Sequence, residues 1–566
     1  MEKFSSIPYR RPDKAKTLRA VAAVAKKAKR AATAADAVAS VREYNALMCA
    51  MMTQSSLASI RHSIDVNDKF YEAENKFFDD AQPLLMPPVA RFSKALIESP
   101  FRAQLEEAFG THYLAILENT VKKMSFKLIL PMQRESALGR AYQKLLASCK
   151  VEFQGGVRNL SGLSKFLQDP DREVRKSAFA AISGFLSEHQ AELDELYDKL
   201  VKLRARMGKS MGYKTYTPLG YINMDRYSYT AEDVKRFREQ VVRDLVPVCT
   251  MLREKQAKRI GVDTLKIYDE SFQFTQGNAA PQGTPEELVK AAQKMYRELS
   301  PETGDFFDFM VEYELMDLVT RPSKRVGGYC AALPDYKAPF IFSNFNGTSG
   351  DVDVLTHEAG HAFEAVVAAQ HIELLELAAP TLESCEIHSM SMEFFTHPWM
   401  ELFFGENAGK YRYKHLVDSL LFVPYGVCVD EFQHVVYENP GMTPVQRRGA
   451  WRELEKKYLP HRDYEGDEFM ENGGFWQKQH HIYTAPFYYI DYTLASMSAF
   501  EFFGRMREDR EKAWADYMAL CRAGGTLPYT ELLKEAHLSN PFEEGGVKRA
   551  IAAAVKAIEE TDDMAL

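Results

Sequence analysis

No apolar run in the 566 residues approaches the eighteen or so that a membrane span requires, which excludes a spanning helix. The opening stretch MEKFSSIPYRRPDKAK lacks the apolar core of a secretory signal, so export by that route is not expected. Cysteine is sparse and scattered: Cys49, Cys149, Cys249, Cys330, Cys385, Cys428 and Cys521 are odd in number and form no C-x-x-C pair. That argues against a disulfide framework and a cysteine zinc site, and favours reduced thiols and a cytoplasmic location. Positive charge is not in excess either. Against 71 Lys and Arg stand 79 Asp and Glu, a formal net charge of −8, and no basic stripe is interleaved with aromatics. Nucleic acid and membrane surfaces are therefore not expected as partners. The basic stretch Lys14 to Ala35 is flanked by Asp13 and Asp36 and is best explained as a helix of strong helix formers, not a transit or membrane-surface segment. Repeats, low-complexity tracts and long linkers are also missing. What remains is a globular composition, 46% hydrophobic and 27% charged.

Helix signals dominate. Asp169-Pro170, Thr284-Pro285-Glu286-Glu287, Ser300-Pro301 and Thr443-Pro444-Val445-Gln446 each place a capping side chain before a first-turn proline. Thr230 with Asp233 opens an amphipathic pattern that runs to Lys258 and stops near Gly261. Extended structure is predicted only for short segments, Leu265 to Tyr268 and Pro339 to Phe345, the latter closed by Asn346-Gly347. The fold class expected is mainly α with a small β-sheet. The softest division lies near Asp169–Pro170, giving an N-terminal helical region, 1–170, and a domain, 171–566, that carries the chemical motifs.

His357-Glu358-Ala359-Gly360-His361 is H-E-x-x-H within a predicted helix from Asp351 to about Gln370. Residues four apart share a helix face, so the imidazoles of His357 and His361 converge and offer two donors to a tetrahedral zinc. Glu358 points beside that position, where a carboxylate can take a proton from an attacking water and pass it on. A catalytic zinc needs a third protein donor. Glu364 and Val367 stand where the longer H-E-x-x-H-x-x-G-x-x-H pattern needs glycine and histidine, so the third donor comes from elsewhere. The helix predicted from Pro380 carries Glu383, Glu386 and Glu393 as candidates. Glu386 and Glu393 are seven apart and share a face among apolar neighbours. That arrangement suits Glu386 as ligand and Glu393 as the carboxylate that orients a ligand histidine.

Three segments together resemble the thimet oligopeptidase and oligoendopeptidase F family of zinc peptidases: FIFSNFNGTSGDVDVLTHEAGHAFE from Phe340, E-I-x-S-x-x-x-E from Glu386, and HHIYTAPFYYIDY from His480. FSSIPYRRPDK and SIRHSIDVNDKFYEAENKFFDD resemble the N-terminal part of its bacterial oligoendopeptidase F branch, so the likeness spans nearly the whole chain. The family spaces its third ligand 25 residues after the second histidine, as Glu386 follows His361, which selects Glu386 over Glu383. The resemblance implies one Zn2+ per chain on His357, His361 and Glu386. It also implies two largely helical halves enclosing a deep substrate channel, with residues 1–170 forming part of its wall.

The stretch from Gly473 to Tyr492 is dense in glycine, histidine and tyrosine. An aromatic core helix after a glycine loop accounts for Phe487 and Ile490, whereas the row of hydroxyls and imidazoles fits a polar cleft. The resemblance places Tyr492 on the tyrosine that stabilises the oxyanion, Tyr489 on a further site tyrosine, and His480 on the substrate histidine. It expects another tyrosine where Ala485 stands, so Tyr483 or Tyr488 is the substitute. His480 and His481 are both expected near the site, and which one faces the metal is left open. The run Pro339 to Phe345 suits an edge strand, structural or aligning an extended substrate. The activity expected is zinc-dependent cleavage of internal bonds in short unfolded oligopeptides. The alternatives are a peptide-binding protein of the same fold, a carboxypeptidase variant using a cationic group to hold the terminal carboxylate, and a helical scaffold with an accidental H-E-x-x-H.

Overall fold

The computed structural model describes all residues, 1–566, and the fold is mainly α, as the capping chemistry predicts. It divides into two compact units, each assembled from separated stretches of chain. The first comprises residues 1–126, 280–408 and 505–538; the second comprises 127–279, 409–504 and 539–566. No helix is long and apolar enough to cross a membrane.

In the first unit, five successive helices, Lys14–Lys29, Ala34–Ile64, Lys69–Ile97, Arg102–Phe109 and Thr111–Lys123, enclose a core that includes Val21, Val24, Phe92, Leu96, Leu105 and Leu114. The basic faces of the first helix stay exposed while Val21, Val24, Ala25 and Ala28 are buried, so lysine-rich composition and a packed helix are compatible here. Asp13 and Thr33 cap the first two helices, Thr33 in a reciprocal box with Asp36.

The same unit holds a three-stranded sheet. Counting two short strands of the other unit, β1 (Val151–Phe153) and β2 (Gly156–Arg158), its strands are β3 (Met316–Val319), β4 (Tyr329–Leu333) and β5 (Ala338–Phe345). The order is β3-β5-β4, with β5 parallel to β3 and antiparallel to β4, Tyr329 facing Phe342 and Leu333 facing Ala338. The run expected as an edge strand is therefore the central one. Its residues are buried without a break from Ala338 to Ser343, so both faces are covered, which an edge strand does not need. The edges belong to β3 and β4, and on β4 Tyr329, Cys330, Ala331 and Ala332 are only half-buried.

The second unit is also built on helices, among them Arg172–Glu188, Gln190–Ser210, Ala408–Glu438 and Pro444–Tyr458. The amphipathic run from Thr230 ends at Gly261 in the left-handed conformation, as expected, but is interrupted by a π-helical turn at Val241–Leu245. Pro247, two residues beyond, cannot donate to the preceding turn, which accounts for the bulge. Two expectations need correction. Asp171, not Asp169, caps the helix Arg172–Glu188; Asp169 accepts from the Asp171 amide instead. Leu265 to Tyr268 is not a strand but leads into a tight turn, because Asp269 caps the Lys266 amide and itself takes ion pairs from Arg172 and Arg175.

Candidate metal centre and active site

β5 runs directly into the H-E-x-x-H helix, Gly350–His371. The turn between them uses Gly347 at φ +85°, and the Asp351 carboxylate accepts from the Asn346 and Gly347 amides at 2.9 and 2.7 Å. Asp351 thus fixes the angle at which the helix leaves the sheet. The second helix, Leu382–Phe395, packs across the first where Gly360 removes the side chain: a Cβ there would lie 2.6 Å from Ser389 Cα and 2.7 Å from the His388 carbonyl oxygen. This close approach brings the two halves of a donor set together.

His357, His361 and Glu386 present one donor atom each, all within 4.8 Å of one another. Glu386 Oε2 stands 3.3 Å from His357 Nε2 and 3.6 Å from His361 Nε2, and Ser389 Oγ donates to the same carboxylate at 3.1 Å. His357 Nδ1 is 2.7 Å from Glu393 Oε1, so Glu393 sets the ring's tautomer and turns Nε2 toward the other donors. Glu383, the remaining acidic candidate on this helix, is buried outside the donor set. Two imidazole nitrogens and a carboxylate oxygen form a set that suits a divalent transition metal and leaves room for a fourth ligand.

The electrostatics agree. Burial opposes charge on His357, but Glu386 and Glu393 outweigh it and raise its affinity for a proton. Burial likewise opposes charge on Glu386, and the two histidines overcome it and hold its carboxyl far below the usual range. A cation brought to these donors takes the place of the proton that His357 would otherwise keep. Glu358 is different: burial pushes its carboxyl upward, the direction that suits a group taking and returning a proton near neutral pH. Gly328, at the start of β4, lies against it, since a Cβ there would be 3.5 Å from Glu358 Oε1. The edge strand therefore begins beside the carboxylate.

The second unit gathers the histidine and tyrosine candidates. His480 and His481 open a short helix, His480–Thr484, with ring centroids 3.8 Å apart; His481 lies 4.8 Å from Tyr489, 5.7 Å from Tyr488 and 6.1 Å from Tyr492. Tyr492 donates to the Tyr488 hydroxyl at 3.0 Å. His481 is the oriented member of the histidine pair: Tyr425 donates to Gln479 Oε1 at 2.8 Å, and Gln479 Nε2 donates to His481 Nδ1 at 2.7 Å, leaving the proton on Nε2. His480 is exposed, and partial desolvation lowers its proton affinity. Tyr483 is not brought into this cluster. It is fully buried, stacked on Tyr142 at 3.9 Å, and its hydroxyl is spent on the Leu193 carbonyl.

Sequence reasoning missed what holds this segment. Arg204, fully buried, donates to the Ile482 and Tyr483 carbonyls and to Tyr437. Arg226 donates to the Phe487 carbonyl and pairs with Asp491 at 3.0 Å. Phe487 sits at φ +68°, a conformation costly for a bulky side chain, and is pinned further by Gln433 accepting from its amide. Positive φ at a phenylalanine has no sequence signal, and neither arginine belongs to a motif.

Comparison with known proteins identifies the company this chain keeps. Residues 4–124 match the model of the peptidase M3 N-terminal domain, and residues 165–550 match that of peptidase family M3. Among solved structures, PZ peptidase A with an inhibitor is 48% identical with a TM-score of 0.95, covering 99% of this chain and all of that one. A structure assigned as an oligoendopeptidase F is 49% identical with a TM-score of 0.96 over the full length of both chains. Another so assigned, from Bacillus anthracis, is 44% identical with a TM-score of 0.91, again over both full lengths. No curated protein matches the chain.

Proposed function

The chain belongs to peptidase family M3 and is a peptidase of the oligoendopeptidase F type, and on that premise we propose that it is a zinc-dependent endopeptidase of short, unfolded oligopeptides. The observation that carries the reading is the convergence of His357, His361 and Glu386 beside Glu358, with Glu393 behind His357. One Zn2+ on those three residues would supply an activated water at neutral pH and polarise the scissile carbonyl.

The chain's own groups do the rest. Glu358 accepts the proton of the attacking water and delivers it to the departing amine, so one carboxylate serves as base and then as acid. Tyr492 turns the proton it gives to Tyr488 toward the oxyanion as that charge develops, accepting from Tyr488 in return, with the Nε2 proton of His481 as a second donor and His480 and Tyr489 contacting the peptide. The unpaired edge of β4 binds the substrate main chain as an added strand, which requires an extended peptide and makes few demands on its side chains. An extended substrate is an unfolded one. Seven free thiols support a cytoplasmic place of action.

The test is mass-spectrometric mapping of products from peptides of roughly 5 to 40 residues and one folded protein, with and without a chelator. Internal, chelator-sensitive cuts confined to the short peptides are expected. Cuts only at a terminus would move the activity to an exopeptidase, and no cut by metal-replete protein would leave peptide binding as the function.

A further inference from the structure

Lys478 closes the turn Phe475–Lys478, two residues ahead of His480. Its ammonium lies 3.9 Å from the centroid of the Phe475 ring and makes no hydrogen bond or ion pair. That isolation is local. Arg462, over the same ring at 4.5 Å, is paired with Glu270 at 2.8 Å and with Glu455 at 3.4 Å. Glu270 also takes Arg253, and Glu455 also takes Arg452 and Tyr464. Every carboxylate that bears on Lys478 is thus already committed to another cation.

The lysine is continuous with the histidine and tyrosine cluster. Phe475 meets Tyr425 edge-on at 5.9 Å, Tyr425 meets Tyr489 at 5.9 Å, and Tyr489 meets His481 at 4.8 Å. A chain of ring contacts therefore links an oriented imidazole to an ammonium that has no hydrogen-bonding partner. A lysine whose role is solubility stands clear of the protein, but this side chain is open to solvent and crowded at once. Desolvation, aided by Arg462 and only partly offset by Glu270 and Glu455, pushes its ammonium down to about 8.

We propose that Lys478 is a specificity determinant that receives a carboxylate of the bound peptide, either the C-terminal carboxylate or the side chain of an aspartate or glutamate. The inference rests on the peptidase reading above. It adds the chemical class of substrate: peptides carrying an anion at a fixed distance from the part held at His481. A carboxylate there supplies the partner that the fold withholds, through a charge-assisted hydrogen bond.

The experiment measures binding, so that it does not depend on turnover. In metal-loaded Glu358→Gln protein, dissociation constants are determined by calorimetry for one N-acetylated neutral peptide as its C-terminal acid and its amide. A second pair, amidated, differs only by Glu against Gln at each internal position. One of the two pairs is expected to show binding tighter by on the order of tenfold for the anionic member, and which pair does so distinguishes terminal from side-chain recognition. Adding Lys478→Met should bring that ratio to about one, while Lys478→Arg restores it. With Lys478 the ratio should shrink as pH rises through about 8, because the ammonium loses its charge there while the carboxylates keep theirs; with arginine it should stay flat. Equal binding within both pairs, or a preference that survives Lys478→Met, would overturn the proposal. If wild-type protein cleaves peptides yet shows no such preference, only the role of Lys478 falls. If it neither cleaves nor binds any of them, the peptidase reading falls and takes this one with it.

Discussion

Two glutamates in the first unit differ in what surrounds them, and that difference separates their roles. Glu358 makes no contact with the imidazole nitrogens, whereas Glu393 sits 2.7 Å from His357 Nδ1. Glu358→Gln keeps shape and removes the proton acceptor, so metal content should remain near one per chain while kcat falls by about 100- to 10,000-fold. Glu393→Gln keeps a hydrogen bond to His357 but loses the charge behind it, so metal affinity should drop by roughly tenfold to a hundredfold, with activity restored by excess metal. Metal titration and steady-state kinetics on both proteins check this, and a Glu358→Gln enzyme at wild-type rate would remove its assignment as the base. The H-E-x-x-H residues were legible because their chemistry is written in adjacent letters. Gln479 and Tyr425, which orient His481, were not, since a hydrogen-bond relay between residues 54 apart leaves no local pattern.

At the scale of elements, the donor set depends on how closely two helices approach. Gly360 meets backbone atoms of Ser389 and His388, which cannot rotate aside as a flexible side chain would. Gly360→Ala should therefore push the Leu382–Phe395 helix outward, taking Glu386 from the histidines. The expected cost is about 1–3 kcal/mol in the metal-free protein, with a further loss of metal affinity. Gly449, in the helix Pro444–Tyr458, is the control: a Cβ there meets nothing within 4 Å, and Gly449→Ala should stabilise by about 0.5–1 kcal/mol through helix propensity alone. Thermal unfolding of the two proteins should thus shift in opposite directions. Capping boxes at Thr230, Thr284, Ser300 and Thr443 made those helix starts readable to the residue, because cap and partner lie three apart. Strand order was not readable. An apolar run announces burial, but only pairing with both β3 and β4 makes β5 central, and those strands, of 4 and 5 residues, are too short to announce themselves.

For the molecule as a whole, composition reports how many charges there are and not which of them are inside. The second unit buries a network in which Glu270 accepts from Arg462 at 2.8 and 3.0 Å, with Arg253 at 3.5 Å, joining the end of one helix to the loop after another. In the sequence these are unremarkable members of a 27% charged chain. Burial alone would raise the Glu270 carboxyl, but the Arg462 and Arg253 guanidiniums outweigh it and hold it at about 2, against an ordinary value near 4.5. A depressed folded-state value means that this stabilisation is complete above about pH 4.5 and is lost as pH falls from there through 2, where the folded carboxylate finally takes its proton. Glu270→Gln removes the charge at every pH and leaves two buried guanidiniums short of a partner, so at pH 7 it should destabilise by about 3–5 kcal/mol. As pH drops below 4.5 the wild type loses the same interaction, and the gap between the two proteins should narrow toward pH 2. Urea unfolding followed by tryptophan fluorescence, which includes that of buried Trp451, whose indole donates to the Glu455 carboxylate of the same network, measures that gap at each pH. A difference that stayed constant from pH 7 to pH 2.5 would mean that Glu270 contributes through packing, and that its charge does not hold the unit together.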